Sequence, residues 1–177
     1  MERARREPIE QKIREVGALG ASAVYMVPPQ PPHEMDAFAD FMTFLAGAFQ
    51  QVGVRFCIEP MPGTLVPNDR DNLRFIREAS HPNLYVLVDN GHSLLAAEDP
   101  VESLRAAGKH LGYVQLDDTN GETHSHVPLF SGVLTRQRLS HFMSKLVEMG
   151  YEGSVGIEIP GLQPMSTARE ELSTWTC

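Results

Sequence analysis

Apolar positions gather into five short runs along the chain, at residues 23–28 (AVYMVP), 54–59 (VRFCIE), 84–89 (LYVLVD), 112–118 (GYVQLDD) and 154–159 (SVGIEI). Each has the length of a strand, is rich in Val, Ile and Tyr, and is bounded by Gly, Pro or Asn, so each is predicted to be a β-strand. The stretches between them follow helical spacing instead. Residues 35–52 put Phe38, Phe41, Met42, Leu45 and Phe49 on one face, and Leu139, Phe142, Met143, Leu146 and Val147 form a similar stripe ahead of Gly150. Weaker helices fit residues 71–79 and 100–110, and another fits 9–19 before the first strand. Gly17, Gly20, Gly53, Gly112 and Gly150 stand where these helices should stop.

Strand starts recur every ~30 to 40 residues, the repeat of a βα unit, which predicts a parallel sheet covered by helices. No composition shift marks a boundary, so residues 1–177 are expected to form a single domain. The Pro-rich segment 28–34 (PPQPPHE) is the loop after the first strand.

Composition narrows the partners. The chain has 177 residues, 42% hydrophobic and 21% charged, with a net charge of −8, which is ordinary globular usage. The acidic balance argues against nucleic acid. No apolar run approaches the ~20 residues of a membrane helix, and the start is charged where a signal peptide is apolar. Two cysteines, Cys57 and Cys177, make a structural disulfide unexpected and a reducing cytoplasm the expected location.

In parallel α/β folds the chemistry collects where strands end, and here those ends are polar. The second run ends in Glu59, the third in Asp89 and the fifth carries Glu158, while the fourth carries Gln115, Asp117 and Asp118. A lone carboxylate at a strand end usually caps a helix. Four successive strands converging on one axis would instead crowd like charges together unless a cation held them. Carboxylates plus an amide oxygen form a hard set suited to Mg²⁺ or Mn²⁺, with Co²⁺ or Zn²⁺ tolerated. Alternation agrees: if Glu59 faces inward, so do Cys57 and Arg55, with Val54, Phe56 and Ile58 towards the helices. In the last run Ser154, Gly156 and Glu158 face in, and Val155, Ile157 and Ile159 out. Cys57 and the phenylalanines read as packing, His33 as a loop residue, and Arg3, Arg5 and Arg6 as a solvated cluster.

The order of these residues resembles the xylose isomerase-like TIM barrels of the sugar isomerase/epimerase superfamily. A strand-end Glu is followed by Asp-x-x-His (Asp89 to His92), a polar residue before Asp, and a strand-end Glu after the Gly150-Tyr151-Glu152-Gly153 turn. The resemblance implies an α/β fold of TIM-barrel (β/α) repeats. It implies Glu59, Asp89, Gln115 and Glu158 as metal ligands, and His92 as a residue that binds substrate or transfers a proton. Many relatives have His at the position of Gln115, and Gln there is similar to the hydroxypyruvate isomerase and 3-dehydroshikimate dehydratase branches. After the fourth strand the chain departs from an Arg and Pro-Gly-x-Gly turn; His124 and His126 either replace that anchor and, with Asp118, bind substrate, or are loop histidines.

What the resemblance implies chemically is a divalent-metal-dependent isomerase or epimerase for a small sugar, keto-sugar or hydroxy-keto acid. Glu59 and Glu158 would move the proton beside a carbonyl through a metal-stabilised enediolate, with His92 assisting. Expulsion of a β-hydroxyl, a dehydratase reaction, is the alternative. Eight βα units need ~250 residues. The five runs therefore fit strands 4–8 of a barrel with the first three units missing, and the tail PMSTAREELSTW begins a last helix. An arc of this kind leaves two open edges, so self-association or a partner chain covering them is expected, and a fragment acting only through such association is the second alternative. A flavodoxin-like open sheet fits less well, because its ligands gather at one switch point.

Overall fold

A computed structural model describes residues 3–158. The elements run in the order α1 (Arg3–Ala18), β1 (Ala23–Met26), α2 (Met35–Gln50), β2 (Arg55–Ile58), α3 (Asp69–Ala79), β3 (Leu84–Asp89), α4 (Asn90–Leu95), α5 (Pro100–Ala107), a 3₁₀ turn (Gly108–His110), β4 (Leu111–Leu116), α6 (Arg136–Glu148) and β5 (Val155–Ile157). The five strands pair in chain order β1-β2-β3-β4-β5, and every pairing is parallel. With helices packed along one side, this is half of a (β/α) barrel.

Strand alternation explains which face the helices cover. Phe56 and Ile58 of β2 point outward into the core, where Phe56 stacks on Phe49 of α2 with ring centroids 5.3 Å apart. Phe38 of α2 meets Phe75 of α3 at 5.2 Å. Burial of an aromatic side chain of this kind is worth about 1.5–3 kcal/mol, enough to fix which stripe of α2 faces the sheet. Val155 and Ile157 of β5 lie against the same core. Cys57 faces the other way, fully buried, and a Cβ on Gly112 would stand 2.7 Å from its Sγ. Arg55 is exposed.

Buried amides tie helices to strand ends. Asn83 Nδ2 donates to the carbonyls of Ala46 (3.0 Å) and Val54 (2.9 Å), closing α2 onto β2. Asn72 Nδ2 donates to Ile58 O at 2.8 Å, securing α3 beneath the end of β2. Helix starts carry the expected caps: Asn68 accepts from Asp71 N, Asp99 from Val101 N and Thr135 from Arg138 N.

The five predicted strands and the periodic helices are all present, with ends shifted by a few residues. The helix predicted at 9–19 spans Arg3–Ala18, and that predicted at 100–110 ends at Ala107 and tightens into the 3₁₀ turn. Helix α4 was not predicted. Ile159, Cys177 and the expected last helix lie outside the described residues.

Candidate functional site

The site is assembled at the carboxyl ends of the strands. Pairing continues one residue past β2 and β5, through Glu59 N to Met26 O (3.0 Å) and Glu158 N to Leu116 O (2.9 Å), so both glutamates are held at the sheet's rim by backbone bonds. Asp89 closes β3 and stands opposite Gln115 in the β3–β4 register, and Gln115 in turn stands opposite Gly156 of β5. Glu59, Asp89 and Gln115 are buried, whereas the Glu158 side chain is 39% exposed.

Asp89 does two things at once. Its Oδ1 accepts from Gly91 N (2.8 Å) and His92 N (2.9 Å), capping α4, while its Oδ2 is buried with no partner. The cap sets the direction of α4 and so brings His92 back over the site. His92 Nδ1 lies 3.0 Å from Pro60 O and 3.4 Å from Glu59 Oε1. A carbonyl can only accept, so Nδ1 carries a proton and donates to it, while Nε2 is buried and without a partner. Donor atoms of Glu59, Asp89 and His92 all lie within 4.8 Å of one another. The structure thus draws His92 into the same cluster as two of the carboxylates.

Gln115 Nε2 donates to Glu158 Oε2 and to the hydroxyl of Tyr25 (3.3 Å), leaving its Oε1 buried and unpartnered. Asp117, two residues further on and just past β4, pairs reciprocally with Asn90: Asn90 Nδ2 donates to Asp117 O (2.9 Å) and Asp117 N to Asn90 Oδ1 (3.0 Å). Its side chain meets His126, with Nδ1 3.0 Å from Asp117 Oδ2, and the far nitrogen of His126 is 3.7 Å from Glu158 Oε1. His124 lies between the other two imidazoles, its ring centroid 4.6 Å from that of His92 and 4.5 Å from that of His126.

Both loop histidines therefore reach the site. Asp118 has a different task from the substrate contact expected of it. Its Oδ1 accepts from Thr119 N (2.8 Å) and Leu134 N (2.9 Å) and its Oδ2 from Gly132 N (2.7 Å), so the carboxylate anchors both ends of the loop that carries His124 and His126.

The crowding has electrostatic consequences. Burial first, and then the charges of Asp89 and Glu158, push the Glu59 carboxyl up to about 8. Burial and the neighbouring Asp89 carboxylate push Asp117 up to about 9. His124 is lowered by burial and by the adjacent imidazoles. Cys57, two residues before Glu59, is pushed up to about 12 by burial, which makes it a packing residue and not a nucleophile.

The donor set fits a divalent cation. Three oxygens of hard donors, Asp89 Oδ2, Gln115 Oε1 and Asp117 Oδ1, are buried without hydrogen-bond partners, and Glu59 is disfavoured as an anion until a positive charge accompanies it. Sequence reasoning did not single out Tyr25, Asn90 or Gly91. Tyr25 comes from a strand with no acidic end and carries no signal, but the Asp-Asn-Gly-His run is itself a helix-capping pattern.

Comparison with known proteins agrees with this architecture. The profile of the xylose isomerase-like TIM barrel family matches residues 1–176, and the chain belongs to that family. It is 25% identical over 136 residues to a D-psicose 3-epimerase of Ruminiclostridium cellulolyticum, a match covering 74% of this chain and 43% of that protein. The chain thus spans under half the length of the curated relatives it matches. Among solved structures, a D-tagatose 3-epimerase-like protein superposes with a TM-score of 0.77 at 22% identity, covering 94% of this chain and 66% of the other. The IolI protein with a bound zinc atom gives 0.73 at 20% identity, covering 93% and 63%. At these identities the structural likeness establishes the fold.

Proposed function

We propose that residues 1–177 form one partial-barrel domain that acts as a divalent-metal-dependent isomerase or epimerase on a small sugar, ketose or hydroxy-keto acid. The observation that carries the reading is the pair of buried, unpartnered oxygens on Asp89 and Gln115 beside the protonation-prone Glu59. Glu59, Asp89, Gln115 and Glu158 would hold Mn²⁺ or Mg²⁺, with Co²⁺ or Zn²⁺ tolerated, and His92 lies close enough to join them. A bound cation supplies a Lewis acid that polarises the substrate carbonyl.

Glu59 and Glu158 enter the site from two different strand ends, β2 and β5. Glu59 removes the proton from the carbon beside the carbonyl, giving an enediolate, and Glu158 supplies a proton to one of its carbons. Return to the opposite face of the same carbon is epimerisation, and return to the neighbouring carbon is isomerisation. His92, with its Nε2 unpartnered, and the loop residues His124 and His126 supply hydrogen bonds to substrate hydroxyls. Similarity to a psicose epimerase supports a ketose over an acid.

Among the described residues no helix is long and apolar enough to cross a membrane. The unpaired Cys57 supports a reducing, cytoplasmic setting. Among the described residues β1 and β5 each pair on one side only, and Val27 is exposed just past β1, which supports a second copy or another chain covering that edge.

The test is solvent exchange. With Mn²⁺ and a ketohexose in D₂O, the chain should place deuterium on the carbon beside the carbonyl, read by proton NMR. No exchange with any of a panel of ketoses and hydroxy-keto acids would contradict the enzyme reading.

A further inference from the structure

An amide ligand poses a problem that a carboxylate does not: its two ends look alike in shape, and only the oxygen binds a cation. Something must fix which end faces the site. Here both hydrogen bonds of the Gln115 NH₂ group are accounted for, one to Glu158 and one to the hydroxyl of Tyr25. The geometry points to Tyr25 as the positioning residue that holds the Gln115 amide with its oxygen towards the cation site, an inference that rests on the metal reading above.

Glu158 alone cannot do this. It is itself a proposed ligand and proton carrier, it is partly exposed, and it also faces His126 at 3.7 Å. Tyr25 is an acceptor from outside that set, on the far side of β2 and β3 from Gln115 in the chain order of strands. It reaches across because its ring is supported from below. Tyr25 stacks on Tyr113, with centroids 6.0 Å apart and planes 19° from parallel. Tyr113 needs Gly156: a Cβ there would stand 2.4 Å from its hydroxyl. Gly156 stands opposite Gln115 in the β4–β5 register, so one strand pair makes room for the ring stack and presents the amide that the stack orients. The result is an amide oxygen that is buried and unpartnered while its nitrogen is satisfied.

Partners of this kind, one bond removed from the metal, typically contribute ~10–100-fold in affinity. At 3.3 Å the bond is a long one, and an effect of about 3- to 10-fold is expected. The experiment is a Mn²⁺ titration by calorimetry of the metal-free full chain, as wild type, Tyr25→Phe, Gln115→Glu and the double variant, with melting of each metal-free form. Tyr25→Phe should weaken Mn²⁺ about 3- to 10-fold while its metal-free Tm stays at the wild-type value. In the Gln115→Glu background either oxygen can bind, so adding Tyr25→Phe should leave the affinity unchanged.

Equal Mn²⁺ affinity of wild type and Tyr25→Phe would overturn the inference. So would a loss of the same size in the Gln115→Glu background, since that would mean Tyr25 acts on the site without acting through the amide. A wild type that takes up no Mn²⁺ overturns the metal reading itself, and with it this one.

Discussion

A Cβ built on Gly91 would stand 1.6 Å from Oδ1 of Asp117, so α4 and the end of β4 touch where only a glycine fits. Helix propensity alone says that Gly91→Ala should stabilise α4 by ~1 kcal/mol. The clash is with the buried carboxylate of Asp117, whose backbone is held by Asn90 and whose Oδ2 meets His126, and overpacking of this kind costs about 1–3 kcal/mol. The clash wins. Gly91→Ala should lower the Tm of the metal-free chain and, because Gly91 N helps hold Asp89, should also weaken Mn²⁺ binding. A calorimetric scan and a Mn²⁺ titration of the variant check both.

The raised carboxyls predict a pH dependence with a definite sign. Glu59 moves from 4.5 to about 8, so the folded chain holds a proton that the unfolded chain releases. That contribution to stability is fully present below pH 4.5 and is lost as pH rises through about 8. Asp117, raised to about 9, and the buried Asp69, raised to about 7, act in the same direction. Metal-free Tm should therefore fall between about pH 5 and 9. Mn²⁺ binding displaces the Glu59 proton, so its stabilising effect should grow as pH rises towards about 8. Melting curves at several pH values, with and without Mn²⁺, read both slopes.

Asp118 gives a third prediction. Removing its carboxylate strands the buried amide of Leu134 and frees Thr119 N and Gly132 N, and each buried amide left unsatisfied costs about 1–3 kcal/mol. Asp118→Ala should destabilise the chain and speed amide hydrogen exchange at Leu134. Because the same loop carries His124 and His126, substrate KM should rise while Mn²⁺ affinity changes little.

Much of this was legible in the sequence because the period of the pattern does the specifying. Strand β3 has the predicted bounds, Leu84–Asp89, because an unbroken apolar run closed by Asp-Asn-Gly marks both ends of a buried parallel strand. The inward facing of Cys57 and the outward facing of Phe56 and Ile58 followed from alternation. Helix α4 escaped because it has six residues, too few for a 3.6-residue period to show, and Gly91 within it reads as a turn. Asp118 was read as facing the site because strand-end position alone does not distinguish a free carboxylate from one consumed by loop amides sixteen residues later. Tyr25 was invisible for a similar reason: its link to Gln115 spans 90 residues and is made by the barrel's curvature.

The most direct test uses Asp89→Asn. Asparagine keeps the oxygen that caps α4 through Gly91 N and His92 N, but puts an NH₂ group where the unpartnered Oδ2 now lies. The variant also removes one of the charges that repel Glu59, so its metal-free Tm should equal or exceed that of the wild type. Mn²⁺ calorimetry should then find one site per chain in the wild type and an affinity at least ~10-fold weaker in Asp89→Asn. Equal Mn²⁺ binding by the two proteins would contradict the assignment of a metal centre to these strand ends.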